Sequence, residues 1–285
     1  MAHSLTPLVP RMDGRNILVT GASRGLGRAV AERLWEMGAN LGLVSRTPVE
    51  GFAPASAPGQ HHFTIAADLA DPAAPDAIAA AVASRWEKLD GLVNNAGVIG
   101  PIGALAANDW EGWEQAIRVN LLAPVALCRL LIPRMPAGAA IVNLSGGGAT
   151  SPRPNFGAYA TSKAGLVRFT ENLAVELAPQ GIRVNAVAPG AMNTQMLEAV
   201  LEAGAGAAGP EFGKAVEQKT KGGVPPEKAA ELVAWLASPG SAGISGRLIS
   251  AVWDPWQGLP ARVAELGDIY TLRRITPEDR GKKWD

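Results

Sequence analysis

The chain has 285 residues, 47% of them hydrophobic, enough for a full core that a single α/β domain can enclose. Lysine plus arginine and aspartate plus glutamate number 26 each, so no charge bias directs the chain to nucleic acid or to an anionic membrane, and a small neutral or modestly charged ligand is the expected partner. The single cysteine, Cys128, excludes an internal disulfide; lying in the apolar helical stretch Leu121 to Cys128, it reads as a small buried hydrophobe.

Residues 1–13 are expected to be a mobile segment outside the fold, with Leu8-Val9-Pro10-Arg11 resembling part of a protease site. No basic stretch leads into a long apolar core and no uninterrupted apolar run reaches bilayer-spanning length, so a cytoplasmic location is expected. Runs rich in valine, isoleucine and leucine then recur at Asn16 to Thr20, Asn40 to Ser45, Phe63 to Ala66, Gly91 to Asn94, Ala140 to Leu144, Arg183 to Ala188 and Arg247 to Val252. Their alternation with helical segments predicts an α/β fold, a doubly wound parallel sheet with helices on both faces. Ligands in such sheets bind beyond the carboxyl ends of the strands, and the polar motifs of this chain follow those ends. The catalytic domain is placed at 14–252. Within it, the glycine- and alanine-rich region 191–223 is expected to close over a substrate. The tail 253–285 carries Trp253, Trp256, Tyr270 and Trp284 among charges and is not needed for the sheet. It is read as packing on the domain or filling a subunit interface, with stacking on substrate as the other use of its tryptophans.

After the first run, Thr20-Gly21-Ala22-Ser23-Arg24-Gly25-Leu26-Gly27 leads into a helical pattern. Glycines at 21, 25 and 27 let backbone N–H groups approach a phosphate while the next helix offers its positive N-terminus, which is how a dinucleotide pyrophosphate is held. The second run ends Ser45-Arg46 with no carboxylate to accept a ribose 2′-hydroxyl, and Arg46 with Arg24 can fork onto a 2′-phosphate. NADP(H) is therefore favoured, with NAD(H) as the alternative. Asp68-Leu69 reads either as an adenine contact or as a plain helix cap. Asn94-Asn95-Ala96-Gly97 reads either as a ribose passage at Asn94, Ala96 and Gly97 or as an ordinary turn. In Tyr159-Ala160-Thr161-Ser162-Lys163 a phenol and an amine share one helix face, and a cation beside a tyrosine favours the phenolate, bringing proton exchange toward neutral pH. No metal is expected.

Thr20 to Gly27, Asn94 to Gly97, Asn120, Tyr159 with Lys163, and Pro189-Gly190 with Thr194 together resemble the short-chain dehydrogenase/reductase family, in its short single-domain branch, over Arg15 to Val252. The resemblance implies a seven-stranded Rossmann sheet, hydride transfer between a nicotinamide and a carbonyl or secondary alcohol, and a homodimer or homotetramer. It implies Tyr159 as acid/base, Lys163 as the group that lowers its pKa and holds the nicotinamide ribose, Asn120 as a water-positioning residue, and Thr194 with the backbone near Met192 as the carboxamide site. The family's substrate-holding serine stands 13 positions before the tyrosine, where this chain has Gly146. Ser145, one residue earlier, is the expected substitute, with Ser151 or a backbone N–H of Gly146 to Gly148 as rivals. The same glycine motivates a different class of reading, a nucleotide-sensing or scaffold protein that has lost catalysis.

Overall fold

The computed structural model describes residues 10–282. Seven parallel strands form one sheet: β1 (Asn16–Thr20), β2 (Asn40–Ser45), β3 (His62–Ala66), β4 (Gly91–Asn94), β5 (Ala140–Leu144), β6 (Arg183–Ala188) and β7 (Leu248–Ser250). Their spatial order is β3-β2-β1-β4-β5-β6-β7. The chain leaves β1 toward one edge and returns to β1's other side at β4, so the strand order reverses there and a crevice opens at the carboxyl ends.

Both faces of the sheet are covered, which is why its strands read as unbroken apolar runs rather than alternating ones. On β1, Ile17 and Val19 enter a core shared with Val30, Ala31 and Leu34 of α1 (Gly25–Glu36) and Leu232 to Ala237 of α8 (Pro226–Ala237). Leu18 turns the opposite way, toward Ile78 and Val82 of α2 (Ala74–Ala83), Leu127 of α4 (Ala123–Leu131) and Leu173 and Leu177 of α5 (Gly157–Leu177). Each such leucine removed from water contributes about 1.5–3 kcal/mol.

Within the helical stretch Trp110–Arg134 one 18-residue window has a mean hydropathy of 1.6 and passes for a membrane-crossing helix by length and composition, yet Arg118 and Arg129 interrupt its apolar run and 44% of it is buried inside the protein. Here α3 (Trp110–Ile117) packs on α5 and α4 on α2, with a π-helical turn at Arg118–Leu122 between them.

Both described terminal segments are docked on the domain. Residues 10–13 are docked rather than mobile: Met12 is fully buried and its N–H donates to Met37 O at 2.7 Å. The remainder of that segment, residues 1–9, lies outside the described residues, as does Trp284. Trp256 is buried in the chain's own core, its ring 5.3 Å from that of Trp235, with Leu259 and Leu266 beside it. Farther along, Leu248 N–H donates to Tyr270 O at 2.8 Å and Leu272 N–H to Glu171 Oε1 at 2.5 Å. The tail is thus stitched to the domain, while Trp253 projects, 84% exposed.

Candidate active site

A cleft of about 1140 Å³ runs along the carboxyl ends of the strands. At its centre two glycines have no room for a side chain. A Cβ on Gly27 would sit 2.1 Å from Gly21 O, and one on Gly21, whose φ is +68°, would sit 2.9 Å from Ala96 Cα. The turn is buttressed by Asn95, whose Nδ2 donates to Thr20 O at 2.9 Å and to Gly21 O at 3.2 Å. Thr20 Oγ1 in turn accepts the N–H groups of Asn95 and Ala96 at 3.0 and 3.1 Å. Helix α1 then begins without a side-chain cap and without an acidic residue in its first turn, leaving its N-terminal N–H groups and positive end available to an anion. This cradle fits a dinucleotide pyrophosphate, with Ser23, Arg24, Gly25 and Leu26 on the cleft wall.

Arg24 and Arg46 both line the cleft, both are exposed, and neither guanidinium makes a hydrogen bond or ion pair among the described residues. Ser45 Oγ is turned away to Thr47 O. Asp68 Oδ1 accepts the N–H of Ala70 at 3.0 Å, a local turn, while Asp68 and the buried Leu69 still line the wall. Asn94 does not. It follows Leu92 onto the α4 side of the pleat, where its Nδ2 donates to Asn143 Oδ1 at 2.8 Å, so its expected ribose contact is replaced by an interior hydrogen bond. Its neighbours Asn95, Ala96 and Gly97 form the wall instead. No sequence pattern marks Thr20 and Asn95 individually. Their signal was position, at the ends of two adjacent strands.

At the other end, Gly190 (φ +92°) follows β6 and leaves only 2.6 Å between a would-be Cβ and Val252 Cγ2; Pro189, Met192 and Thr194 continue along the cleft. Thr194 reaches back toward the glycine turn, its Cγ2 4.0 Å from where a Gly25 Cβ would be. Region 191–223 then makes a helical excursion, α6 (Gln195–Ala208) and α7 (Pro210–Lys221), closed at its base by Val224 N–H donating to Ala191 O at 2.8 Å. Its underside, Leu197, Val200, Ala208 and Ala215, packs with Phe156 and Tyr159.

Tyr159 and Lys163 occupy adjacent turns of α5, both buried. Lys163 Nζ donates to Leu144 O at 2.7 Å and lies 5.8 Å from the Tyr159 ring centroid. Burial pushes the lysine down to about 8. Burial also raises the Tyr159 phenol above its ordinary value, and the charge opposing that rise is Arg153 rather than the expected Lys163. Asn120 sits in the π-helical turn, exchanging hydrogen bonds of 2.8 Å with both Val98 N–H and Val98 O and donating to Ser162 Oγ at 3.1 Å. It clamps the loop after β4 to α5. Gly97 separates it from the amine: a Cβ there would lie 3.2 Å from Asn120 Oδ1 and 3.5 Å from Lys163 Nζ.

Gly146 faces the phenol directly. A Cβ at this position would be 2.1 Å from Tyr159 Oη, so the tyrosine oxygen occupies the space a side chain would need. Ser145 is buried at the end of β5 and its Oγ has no hydrogen-bond partner among the described residues. Ser151 is exposed on the rim. Arg153 and Glu211, which no sequence pattern marked, complete this end: Arg153 Nε donates to Glu211 Oε2 at 3.0 Å, and the guanidinium lies 4.2 Å from the Phe156 ring centroid and 5.7 Å from that of Tyr159.

A family model described as Enoyl-(Acyl carrier protein) reductase matches residues 21–251. The chain is also 35% identical over 246 residues to 3beta-hydroxysteroid dehydrogenase 1 of Eggerthella lenta, covering 82% of this chain and 91% of that protein. The protein belongs to the short-chain dehydrogenase/reductase family. It is an oxidoreductase of that family, interconverting a carbonyl and an alcohol with a nicotinamide cofactor. A further relative, a short chain dehydrogenase of Monascus purpureus, is 30% identical, with 95% of this chain and 92% of that one covered. Among solved structures, levodione reductase superposes with a TM-score of 0.73 at 27% identity, covering 88% and 99% of the two chains. The angucycline C-6 ketoreductase LanV with bound NADP gives 0.69 at 31%, covering 85% and 95%.

Proposed function

We propose that this protein uses NADP(H) to interconvert a ketone and a secondary alcohol, with Tyr159 as the acid/base. The observation that carries the reading is the burial of a phenol and an amine on one helix face, at the end of the same cleft whose centre is the glycine cradle. Gly21, Gly25, Gly27 and the first turn of α1 would hold the pyrophosphate, Arg24 and Arg46 the 2′-phosphate, and Thr194, with backbone near Met192, the nicotinamide amide. When bound, the cofactor supplies or accepts the hydride. The chain's own residues manage the oxygen: Tyr159 Oη donates its proton as a carbonyl is reduced, or takes the hydroxyl proton as an alcohol is oxidised. Lys163, its Nζ 5.8 Å from the Tyr159 ring centroid, would hold the nicotinamide ribose, and Asn120 fixes the loop that walls the site. The two unpaired guanidiniums favour NADP(H) over NAD(H), and the NADP-bound LanV agrees.

The helical excursion α6–α7 roofs the substrate end, and its apolar underside shields the phenol from water. A cytoplasmic homodimer or homotetramer completes the reading, supported by the balanced charge and by Trp253 projecting from the surface. The test is a panel of steroid, levodione-type and polycyclic ketones followed by reduced-nicotinamide absorbance with both cofactors. Tyr159→Phe is expected to lower kcat at least about 100-fold while leaving NADPH binding intact; wild-type turnover by this variant would remove the tyrosine from the chemistry.

A further inference from the structure

As hydride adds to a carbonyl carbon, the C=O π pair moves onto oxygen, and that oxygen is stabilised by a donor in addition to the acid that finally protonates it. In this chain the position that resembles the family's serine is Gly146, and Tyr159 Oη fills the space beside it. Ser145 lines the cleft, but its hydroxyl oxygen has less than 1 Å² of accessible surface and no hydrogen-bond partner among the described residues, so in this conformation it turns no donor to the cleft.

Arg153 does present one. Its guanidinium lies along the glycine run, with Nη1 3.8 Å from where a Gly147 Cβ would be and the side chain's own Cβ 3.2 Å from where a Gly148 Cβ would be. Tyr159 Oη stands against Gly146, the preceding residue of the same run, so phenol and guanidinium face one end of one cleft. Nε is occupied by Glu211, and Phe156 stacks on the guanidinium, fixing its plane. The Nη1 and Nη2 groups make no hydrogen bond among the described residues, leaving a fork of donors unspent. A Cβ at 146 would strike the phenol and one at 148 would crowd Ala160 and Arg153 Cβ, so glycine at these positions keeps phenol and guanidinium where they stand.

We propose that Arg153 is a catalytic residue that holds the reacting carbonyl oxygen opposite Tyr159, supplying with a guanidinium the contact that a serine hydroxyl would otherwise make. The proposal rests on the oxidoreductase function described above. In the reduction, the oxygen that gains the π pair is held by an Arg153 N–H and takes the Tyr159 proton, and the reverse direction returns that proton to the phenolate. Glu211, reaching down from α7, anchors Arg153 to the roof of the site and so ties roof position to donor position.

The experiment compares Arg153→Met, Arg153→Ala, Arg153→Lys and Ser145→Ala with the wild type on a ketone identified from the panel, together with NADPH binding by fluorescence and melting curves. Arg153→Met is expected to lose about 100-fold in kcat with NADPH affinity and fold retained. Millimolar guanidinium is expected to recover at least tenfold of the activity of Arg153→Ala, a rescue that a purely structural arginine would not give, while Ser145→Ala stays near wild type. If the shortened variants fail to fold, Arg153→Lys keeps the charge and the Glu211 partner but not the fork, and is expected to lose about tenfold in kcat. Turnover by Arg153→Met or Arg153→Lys at the wild-type rate, or transfer of the loss to Ser145→Ala, overturns the proposal alone. A wild-type protein inactive on every ketone overturns the oxidoreductase reading and this proposal with it.

Discussion

Replacing Gly146 by alanine adds one methyl group beside the proposed acid and tests the geometry of the site at its tightest point. The new Cβ would fall 2.1 Å from Tyr159 Oη and 3.0 Å from its Cζ. Relaxed non-bonded heavy atoms sit roughly 3.5 Å apart, so the phenol oxygen must withdraw by about 1.4 Å. Tyr159 is held in α5 between Phe156 and the underside of α6–α7, so the displacement is taken up at the ring rather than by the helix. A shift of about 1 Å at a reacting group costs on the order of 100-fold in rate. Overpacking of this kind costs about 1–3 kcal/mol, a loss of a few degrees in Tm for a chain of this size. Steady-state turnover, NADPH titration and a melting curve on the same preparation read all three quantities. The expected result is a kcat down at least about 100-fold, unchanged NADPH affinity, and a folded protein. Gly146→Ser is expected to behave the same way, although it adds a hydroxyl at the position where the family pattern has one. A Gly146→Ala enzyme at wild-type kcat would show that the phenol does not stand against this glycine, and the argument for Arg153 would lose its first step.

Arg46→Asp removes one free guanidinium and adds a repelling carboxylate, so NADPH affinity should fall by about 10- to 100-fold while NADH is little affected; equal changes for both cofactors refute the 2′-phosphate assignment. Lys163 has its folded pKa lowered from 10.5 to about 8, so between those values the unfolded chain holds a proton that the folded chain does not. Stability of the cofactor-free protein should therefore rise from pH 8 to 10.5 relative to Lys163→Met, by on the order of 3 kcal/mol, with the full burial penalty present below pH 8. A difference between the two proteins that stays flat across that window rejects the burial account. Trp256→Ala should destabilise the single chain by about 3–5 kcal/mol, because its ring fills the core against Trp235 rather than an interface. Urea unfolding at several protein concentrations checks this, and a loss that appears only through dissociation would contradict it.

The strands were legible because a sheet buried on both faces demands uninterrupted apolar residues; β1, β2, β4, β5 and β6 begin and end where their sequence runs do. The last run shortens to Leu248–Ser250 because Ser250 Oγ accepts the N–H groups of Val252 and Trp253, turning the chain out of the sheet. The glycine turn and the Tyr159–Lys163 pair were legible for a different reason, since both depend on local spacing. Where local spacing is ambiguous by one residue the reading slipped: Asn94 and Asn95 are chemically identical, and only the pleat decides which one faces the cleft. Arg153 and Glu211 were invisible because 58 residues separate them and nothing in either neighbourhood points to the other. Region 191–223 hid its helices behind glycine and alanine, with α6 kinked at Gly204 (φ 74°).

Zero net charge in the chain conceals a strongly uneven cleft. Among the described residues Arg24 and Arg46 have no acidic partner at one end, and α1 opens the centre with no carboxylate in its first turn. At the opposite end Glu211 is shared by Arg153 and Lys214, and the buried Lys163 directs a proton to Leu144 O. Guanidiniums with no carboxylate partner among the described residues therefore stand where a phosphate-bearing ligand would be held, whereas the arginine where a carbonyl would react is already paired to one. An attractive field over the reacting carbon would draw anions in place of a neutral ketone, whereas a guanidinium already paired to Glu211 still offers N–H donors at short range without that long-range field. Such a division lets one cleft bind a polyanionic cofactor and a neutral substrate side by side.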